Sequence, residues 1–214
     1  MNPEAKSIFM CHPGRIYCFA DTPDLCRALL KAGARVIQLR HKIAGEAEFR
    51  RLALAMLAEV RRYEDALLIV NDRVDIAIEV GVDGIHVGQE DLDAREVLRR
   101  APQAMLLGVS ARTPAEARAA AAAGAGYIGA GSVFATPTKA DAVVIGLQGL
   151  REVAAAVDLP VVAIGGITRT NARSVFQAGV RYAAIISDIN SAPDPAAAFR
   201  ELAALSAEFP VEHD

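Results

Sequence analysis

Short apolar runs rich in β-branched residues alternate with longer helical patterns along nearly the whole chain, and no other feature constrains its fold as strongly. The runs cover residues 16–20, 36–40, 66–70, 84–87, 105–109, 127–130, 161–164 and 182–186. Each is strand-sized and is separated from the next by a segment of helical composition, which is how repeated βα units around a parallel sheet are written in sequence. Eight such units predict an α/β fold, a single (β/α)8 TIM barrel, with residues 1–15 as an N-terminal extension and 16–207 as the barrel. At 214 residues the chain is compact for that architecture, so an open doubly wound sheet is the alternative. Its dinucleotide-binding form is disfavoured, because no G-x-G-x-x-G follows the first run.

The helical segments carry the amphipathic pattern expected of an outer layer. Phe49, Leu52, Leu54, Met56, Leu57 and Val60 fall mainly on one face, and Arg50, Arg51, Glu59, Arg61 and Arg62 take the other. Residues 113–123 are rich in alanine, which favours helix and close approach to a sheet.

Charge and composition remove several classes of function. A net charge of −3 offers no basic footprint for nucleic acid, which leaves small-molecule chemistry as the expectation. Charged residues interrupt every apolar stretch before it reaches membrane-spanning length, and Glu4, Lys6 and His12 break up any secretory leader. Cys11, Cys18 and Cys26 are odd in number and lack C-x-x-C spacing, so they read as reduced thiols in a soluble, cytoplasmic protein.

In a βα barrel the chemistry is built where strands end and helices begin, and polar residues recur at those positions. Gln38 and Arg40 alternate along the second run and point the same way, and Lys42 adds a second cation. An enclosed guanidinium needs an anionic partner, either a structural carboxylate or a bound phosphate. Asn71, Asp72 and Asp91 place an amide and two carboxylates at neighbouring strand ends. That set suits a hard cation such as magnesium, although Asn-Asp after a strand also serves as a turn or helix cap. Thr136, Pro137, Thr138 and Lys139 form either an anion-clamping loop that closes over substrate or a solvated turn. Gly165 and Gly166 after the seventh run, with Ser187 after the eighth, fit the phosphate site that barrels hold between their last two loops. His86 reads as a hydrogen-bonded structural histidine, since no second histidine has ligand spacing, and Tyr127 and Phe134 read as packing residues.

With these residues in view, the chain resembles the thiamine phosphate synthase family from about Ile16 to Phe199. The motifs that carry the resemblance are Val-Ile-Gln-Leu-Arg-His-Lys at 36–42, Val-Asn-Asp-Arg-Val-Asp-Ile-Ala at 70–77 and Gly-Ile-His-Val-Gly-Gln-Glu-Asp-Leu at 84–92. Gly-Val-Ser at 108–110, Thr-Pro-Thr-Lys at 136–139 and Val-Val-Ala-Ile-Gly-Gly-Ile at 161–167 follow in the family's order. The resemblance implies an enzyme that joins hydroxymethylpyrimidine pyrophosphate to a thiazole phosphate and expels pyrophosphate. It assigns Arg40, Lys42, Asn71 and Lys139 to pyrophosphate, Asp72 and Asp91 to magnesium, and Gln38 and Ser110 to the pyrimidine. Thr136, Thr138, Gly166, Ile186 and Ser187 go to the thiazole phosphate, and Arg40, Ser110 and Lys139 are the expected catalytic groups.

Three positions depart from the family pattern. Ser132 stands where many members carry proline or another small residue, Ala135 where they carry proline, and Asp188 sets a carboxylate beside the expected phosphate site. Two other activities share the fold or the pocket: a thiazole tautomerase, and a non-catalytic regulator that binds thiazole or thiamine phosphate. The first commonly has histidine in place of Ser132 and lacks Asp72; the second has no need of the leaving-group residues retained here.

Overall fold

A computed structural model describes residues 5–137 and 142–209. Eight strands close into a parallel barrel in chain order: β1 Ile16–Ala20, β2 Val36–Leu39, β3 Leu67–Asn71, β4 Gly84–Val87, β5 Leu106–Ala111, β6 Tyr127–Ala130, β7 Val161–Ile164 and β8 Tyr182–Ile185. Strand β1 pairs with both β2 and β8, which seals the cylinder and excludes the open-sheet alternative. The helices are α1 Ala5–Cys11, α2 Pro23–Ala32, α3 Glu46–Val60, α4 Val74–Val80, α5 Ala94–Arg100, α6 Pro114–Ala123, α7 Gly146–Ala154, α8 Ala172–Phe176, α9 Ser187–Asn190 and α10 Pro195–Ala207. Among the described residues no helix is long and apolar enough to cross a membrane.

Four runs, 16–20, 84–87, 127–130 and 161–164, form strands with the expected ends. The others shift by a residue or two, because pairing rather than apolarity decides where a strand stops. Ala111 stays in β5 by pairing with Ala130, and Arg40 lies just past β2 while its amide still donates to the Ala20 carbonyl at 3.2 Å. In α3 the buried stripe is Phe49, Ala53, Met56 and Val60, at helical spacing. Leu54 sits one position off that stripe and is 52% exposed, so its expected burial is corrected. Glu59 is not a solvated charge either, since it is largely covered and accepts from Arg27 Nη2 at 3.0 Å.

Period-two alternation divides the strands between two apolar layers. Ile16, Cys18, Ile37, Leu68, Ile85, Leu107 and Ile128 face the helices, and Tyr17, Phe19, Val36, Leu67, Ile69, Leu106, Tyr127 and Tyr182 fill the interior. The N-terminal end of the cylinder is stoppered by α1: the Phe9 ring lies 4.7 Å from both Tyr127 and Tyr182, and Tyr182 donates to the Phe9 carbonyl at 2.8 Å. Arg15 and Arg181 stitch the same end together by donating to the main-chain carbonyls of Val180, Phe209, Met10 and His12. With that end closed, the mouth at the C-terminal ends of the strands is the open face.

Candidate active site

The mouth holds a cleft of about 320 Å³, bordered by Arg40 and Lys42 after β2 and by Ile186 and Asn190 after β8. A smaller cleft of about 130 Å³ at the stoppered end is lined by Arg15, Arg35 and Tyr182 and contains none of the expected site residues. The loop carrying Arg40 and Lys42 is pinned locally: His41 Nδ1 accepts from the Ala44 amide at 3.0 Å, and Arg73 donates to the Ala44 carbonyl at 3.3 Å.

Asp72 follows β3 in a left-handed conformation with φ 62°, uncommon for a residue other than glycine. Its amide donates to the His86 carbonyl at 2.9 Å, so the turn is fixed against the neighbouring strand. The Asp72 carboxyl meets Asp91, and Asp91 is itself held by the Gly88 amide, which donates to Oδ2 at 2.7 Å. Withdrawal from water, then repulsion from Asp91 and the hydrogen bond with it, push the Asp72 carboxyl up to about 6, against the opposing pull of Arg40 and Asn71. The residue as a whole stays exposed at the open mouth. Two carboxyls that meet in this way can exchange the proton they share for a hard cation. Among the described residues no cluster of three or more metal-binding side chains accompanies them. A cation held by this pair therefore keeps most of its coordination for water or phosphate oxygens, as magnesium does.

Deeper in the barrel, Gln38 is buried and its Nε2 donates to the Tyr17 hydroxyl at 2.9 Å. Ser110 Oγ lies 2.9 Å from His86 Nε2, and His86 Nδ1 lies 2.9 Å from the Tyr127 hydroxyl. Burial depresses the His86 imidazole to about 4, so it is neutral near pH 7. The expected structural role for His86 is thus matched by two hydrogen bonds, whereas Tyr127 does more than pack.

On the β6 and β7 side, Ser132 Oγ donates to the Phe134 carbonyl at 2.7 Å, and the Phe134 amide donates to the Gly165 carbonyl at 3.0 Å. A Cβ on Gly165 would lie 2.0 Å from Ser132 Oγ, and one on Gly166 would lie 2.4 Å from the Ala135 carbonyl oxygen. Glycine is therefore needed here for the two loops to pack, whether or not an anion also approaches. Ser187 opens α9 beside Ile186. Asp188 does not confront that position, because its Oδ2 accepts from the Arg169 amide at 2.8 Å and from Arg169 Nε at 3.0 Å. Thr136 lies in the loop after β6, while Thr138 and Lys139 lie outside the described residues.

The structure thus gathers Gln38, Arg40, Lys42, Asn71, Asp72, Asp91, Ser110 and Ile186 at one end of the barrel. Asn190 was missed by sequence reasoning. It lines the cleft, and its Oδ1 is buried without a hydrogen-bond partner among the described residues. A lone asparagine after the last strand gives no signal of this.

A closed eight-stranded barrel whose mouth sets Arg40 beside a carboxylate pair defines a (β/α)8 enzyme. A family model described as thiamine monophosphate synthase matches residues 8–189. The chain is 47% identical over 186 residues to the thiamine-phosphate synthase of Roseiflexus castenholzii, covering 86% of this chain and 81% of that protein. It is 46% identical over 187 residues to the thiamine biosynthesis bifunctional protein ThiM/ThiE of Symbiobacterium thermophilum; these are 86% of this chain and 38% of that longer protein. The solved thiamine phosphate pyrophosphorylase of Pyrococcus furiosus superposes with a TM-score of 0.85 at 39% identity, covering 91% of this chain and 96% of that one. The chain belongs to the thiamine monophosphate synthase family.

Proposed function

We propose that this barrel makes thiamine phosphate by joining hydroxymethylpyrimidine pyrophosphate to a thiazole phosphate, or its carboxylate, and releasing pyrophosphate. One observation carries the reading beyond family membership: the Asp72–Asp91 pair lies within the field of Arg40, which borders the cleft with Lys42. A carboxylate pair beside Arg40, with Lys42 further along the cleft, suits a pyrophosphate that brings a metal ion with it.

Arg40 and Lys42 bind oxygens of the leaving pyrophosphate and Asn71 orients it, with Lys139 assigned to the same group by its place in the family motif. Magnesium held by Asp72 and Asp91 would supply further positive charge to those oxygens as the carbon–oxygen bond breaks. Gln38 and Ser110 hold the pyrimidine, whose electron-rich ring shares the positive charge left on its methylene carbon. Thr136, Thr138, Gly166, Ile186 and Ser187 hold the thiazole phosphate so that its ring nitrogen faces that carbon and supplies the electron pair of the new bond. No covalent enzyme intermediate is needed. The chain's own contribution is alignment, charge stabilisation and exclusion of water.

Ser132 is engaged with the Phe134 carbonyl and offers no proton-transferring group, so nothing favours the tautomerase reading. A cytoplasmic location is proposed too, and fits three thiols that form no disulfide. Calorimetric titration with inorganic pyrophosphate tests the leaving-group site. Binding should require magnesium in the wild type and weaken at least about tenfold in Arg40→Ala and Asp72→Asn. Equal binding with and without magnesium removes the metal from the site.

A further inference from the structure

Inward positions on three adjacent strands meet at one level of the barrel: His86 on β4 is level with Gly108 on β5, and Gly108 is level with Tyr127 on β6. The middle position is emptied of side chain. A Cβ on Gly108 would lie 2.0 Å from Tyr127 Cζ, and one on Gly129 would lie 2.8 Å from His86 Cε1. Two glycines therefore make room for two rings to meet across the strand between them, with centroids 5.5 Å apart.

What the rings complete is a continuous row of hydrogen bonds. Gln38 Nε2 donates to the Tyr17 hydroxyl at 2.9 Å, and the Tyr17 and Tyr127 hydroxyls are 3.0 Å apart. Tyr127 reaches His86 Nδ1 at 2.9 Å, and His86 Nε2 reaches Ser110 Oγ at 2.9 Å. Each hydroxyl has one hydrogen to give, and the buried imidazole has one. With Gln38 giving its N–H to Tyr17, the arrangement that places every hydrogen of the row has Tyr17 donating to Tyr127 and Tyr127 donating to Nδ1. The imidazole hydrogen then sits on Nε2 and points at Ser110, which leaves the serine hydrogen free for the mouth. Reversing one link alone would press two hydrogens into one buried contact, and reversing every link beyond Tyr17 would leave the buried Tyr17 hydrogen without a partner, so this polarity is favoured.

We infer that Tyr17, Tyr127 and His86 are positioning residues that lock Gln38 and Ser110 into opposite hydrogen-bonding roles, one accepting through Oε1 and the other donating. The inference rests on the reading of Gln38 and Ser110 as pyrimidine contacts. An aminopyrimidine edge presents an amine donor beside a ring-nitrogen acceptor, which matches one acceptor and one donor of fixed identity. The oxo analogue exchanges the two, with a carbonyl acceptor beside a ring N–H donor. Tyr17, Tyr127 and His86 therefore set specificity for amino over oxo without touching the substrate.

Two measurements test this. The first is the ratio between KM for hydroxymethylpyrimidine pyrophosphate and the inhibition constant of its oxo analogue, in the wild type and in Tyr127→Phe, which keeps the ring and removes the link. Tyr127→Phe should narrow the ratio about 3- to 10-fold with KM for the thiazole phosphate little changed, while the melting temperature falls because Tyr17 and His86 each lose a buried partner. An unchanged ratio, or equal losses for both substrates, overturns the inference. The second is NMR of the imidazole nitrogens, assigned through His86→Gln. His86 should be a single Nε2–H tautomer in the wild type and lose that preference in Tyr127→Phe. The Nδ1–H tautomer in the wild type, or a tautomer indifferent to the substitution, overturns the row's polarity. Absence of thiamine phosphate synthesis would remove the reading of the ligand, while the tautomer decides the row in either case.

Discussion

Adding a single methyl group at Gly108 should damage this protein more than most truncations of its core. The new carbon would sit 2.0 Å from Tyr127 Cζ, 2.3 Å from its hydroxyl oxygen and 2.4 Å from Cε1, where ordinary carbon contacts are about 3.5–4.0 Å. The ring cannot retreat freely, because the Phe9 ring packs tilted against it at 4.7 Å and Tyr17 holds the hydroxyl at 3.0 Å. Overpacking costs about 1–3 kcal/mol, and shifting the ring strands Tyr17 or His86 in a buried site at a further 1–3 kcal/mol each. Gly108→Ala should therefore lose about 2–6 kcal/mol in urea unfolding, and its melting temperature should fall by at least about 4 °C. Gly45→Ala is the control: no atom lies within 4 Å of the added carbon, and the change should stay within about 1 kcal/mol. Gly108→Ala combined with Tyr127→Leu should be no less stable than Tyr127→Leu alone, since the collision has gone. A Gly108→Ala protein within about 1 kcal/mol of the wild type would refute the placement of Tyr127 over Gly108.

Other outcomes follow from the same packing. Met56→Ala should cost about 2–5 kcal/mol and Leu54→Ala less than about 0.5, measured by urea unfolding, because only Met56 lies on the buried stripe of α3. His86 takes up a proton near pH 4 when folded and near 6.5 when unfolded, so its contribution to stability is complete above 6.5 and is lost as pH falls toward 4. At about pH 5 the wild type should have lost about 2 kcal/mol relative to His86→Gln, each compared with its own value at neutral pH. Using that variant separates His86 from Asp72, whose raised carboxyl acts in the opposite sense; equal pH dependence in the two proteins would contradict the burial of His86. In the native protein only Cys11 should react with a thiol reagent, because Cys18 and Cys26 are buried and burial pushes the Cys26 thiol up to about 12.

The barrel was legible in sequence because strand and helix periodicities are local, and eight short apolar runs admit few arrangements. Much of the site was legible for a related reason: polar residues that follow strands all emerge at one end of a parallel barrel. Legibility failed where meaning depends on closure. His86 and Tyr127 are 41 residues apart, and nothing along the chain says that Gly108 is empty so that they can meet. The orphaned Asn190 oxygen and the diversion of Asp188 to Arg169 likewise depend on neighbours brought in from other loops. Leu54 was misplaced because a helix face is decided by one residue of phase, and leucine at the edge of a stripe satisfies the pattern without being buried.

The central claim is that the Asp72–Asp91 pair and the Arg40 lip serve a departing pyrophosphate. The direct measurement is thiamine phosphate formation from the two phosphorylated substrates, with and without magnesium, in the wild type and in Asp72→Asn. Magnesium-dependent product in the wild type, with turnover at least about a hundredfold lower in Asp72→Asn at an unchanged melting temperature, is the predicted result. Full activity of Asp72→Asn, or turnover indifferent to magnesium, would contradict it.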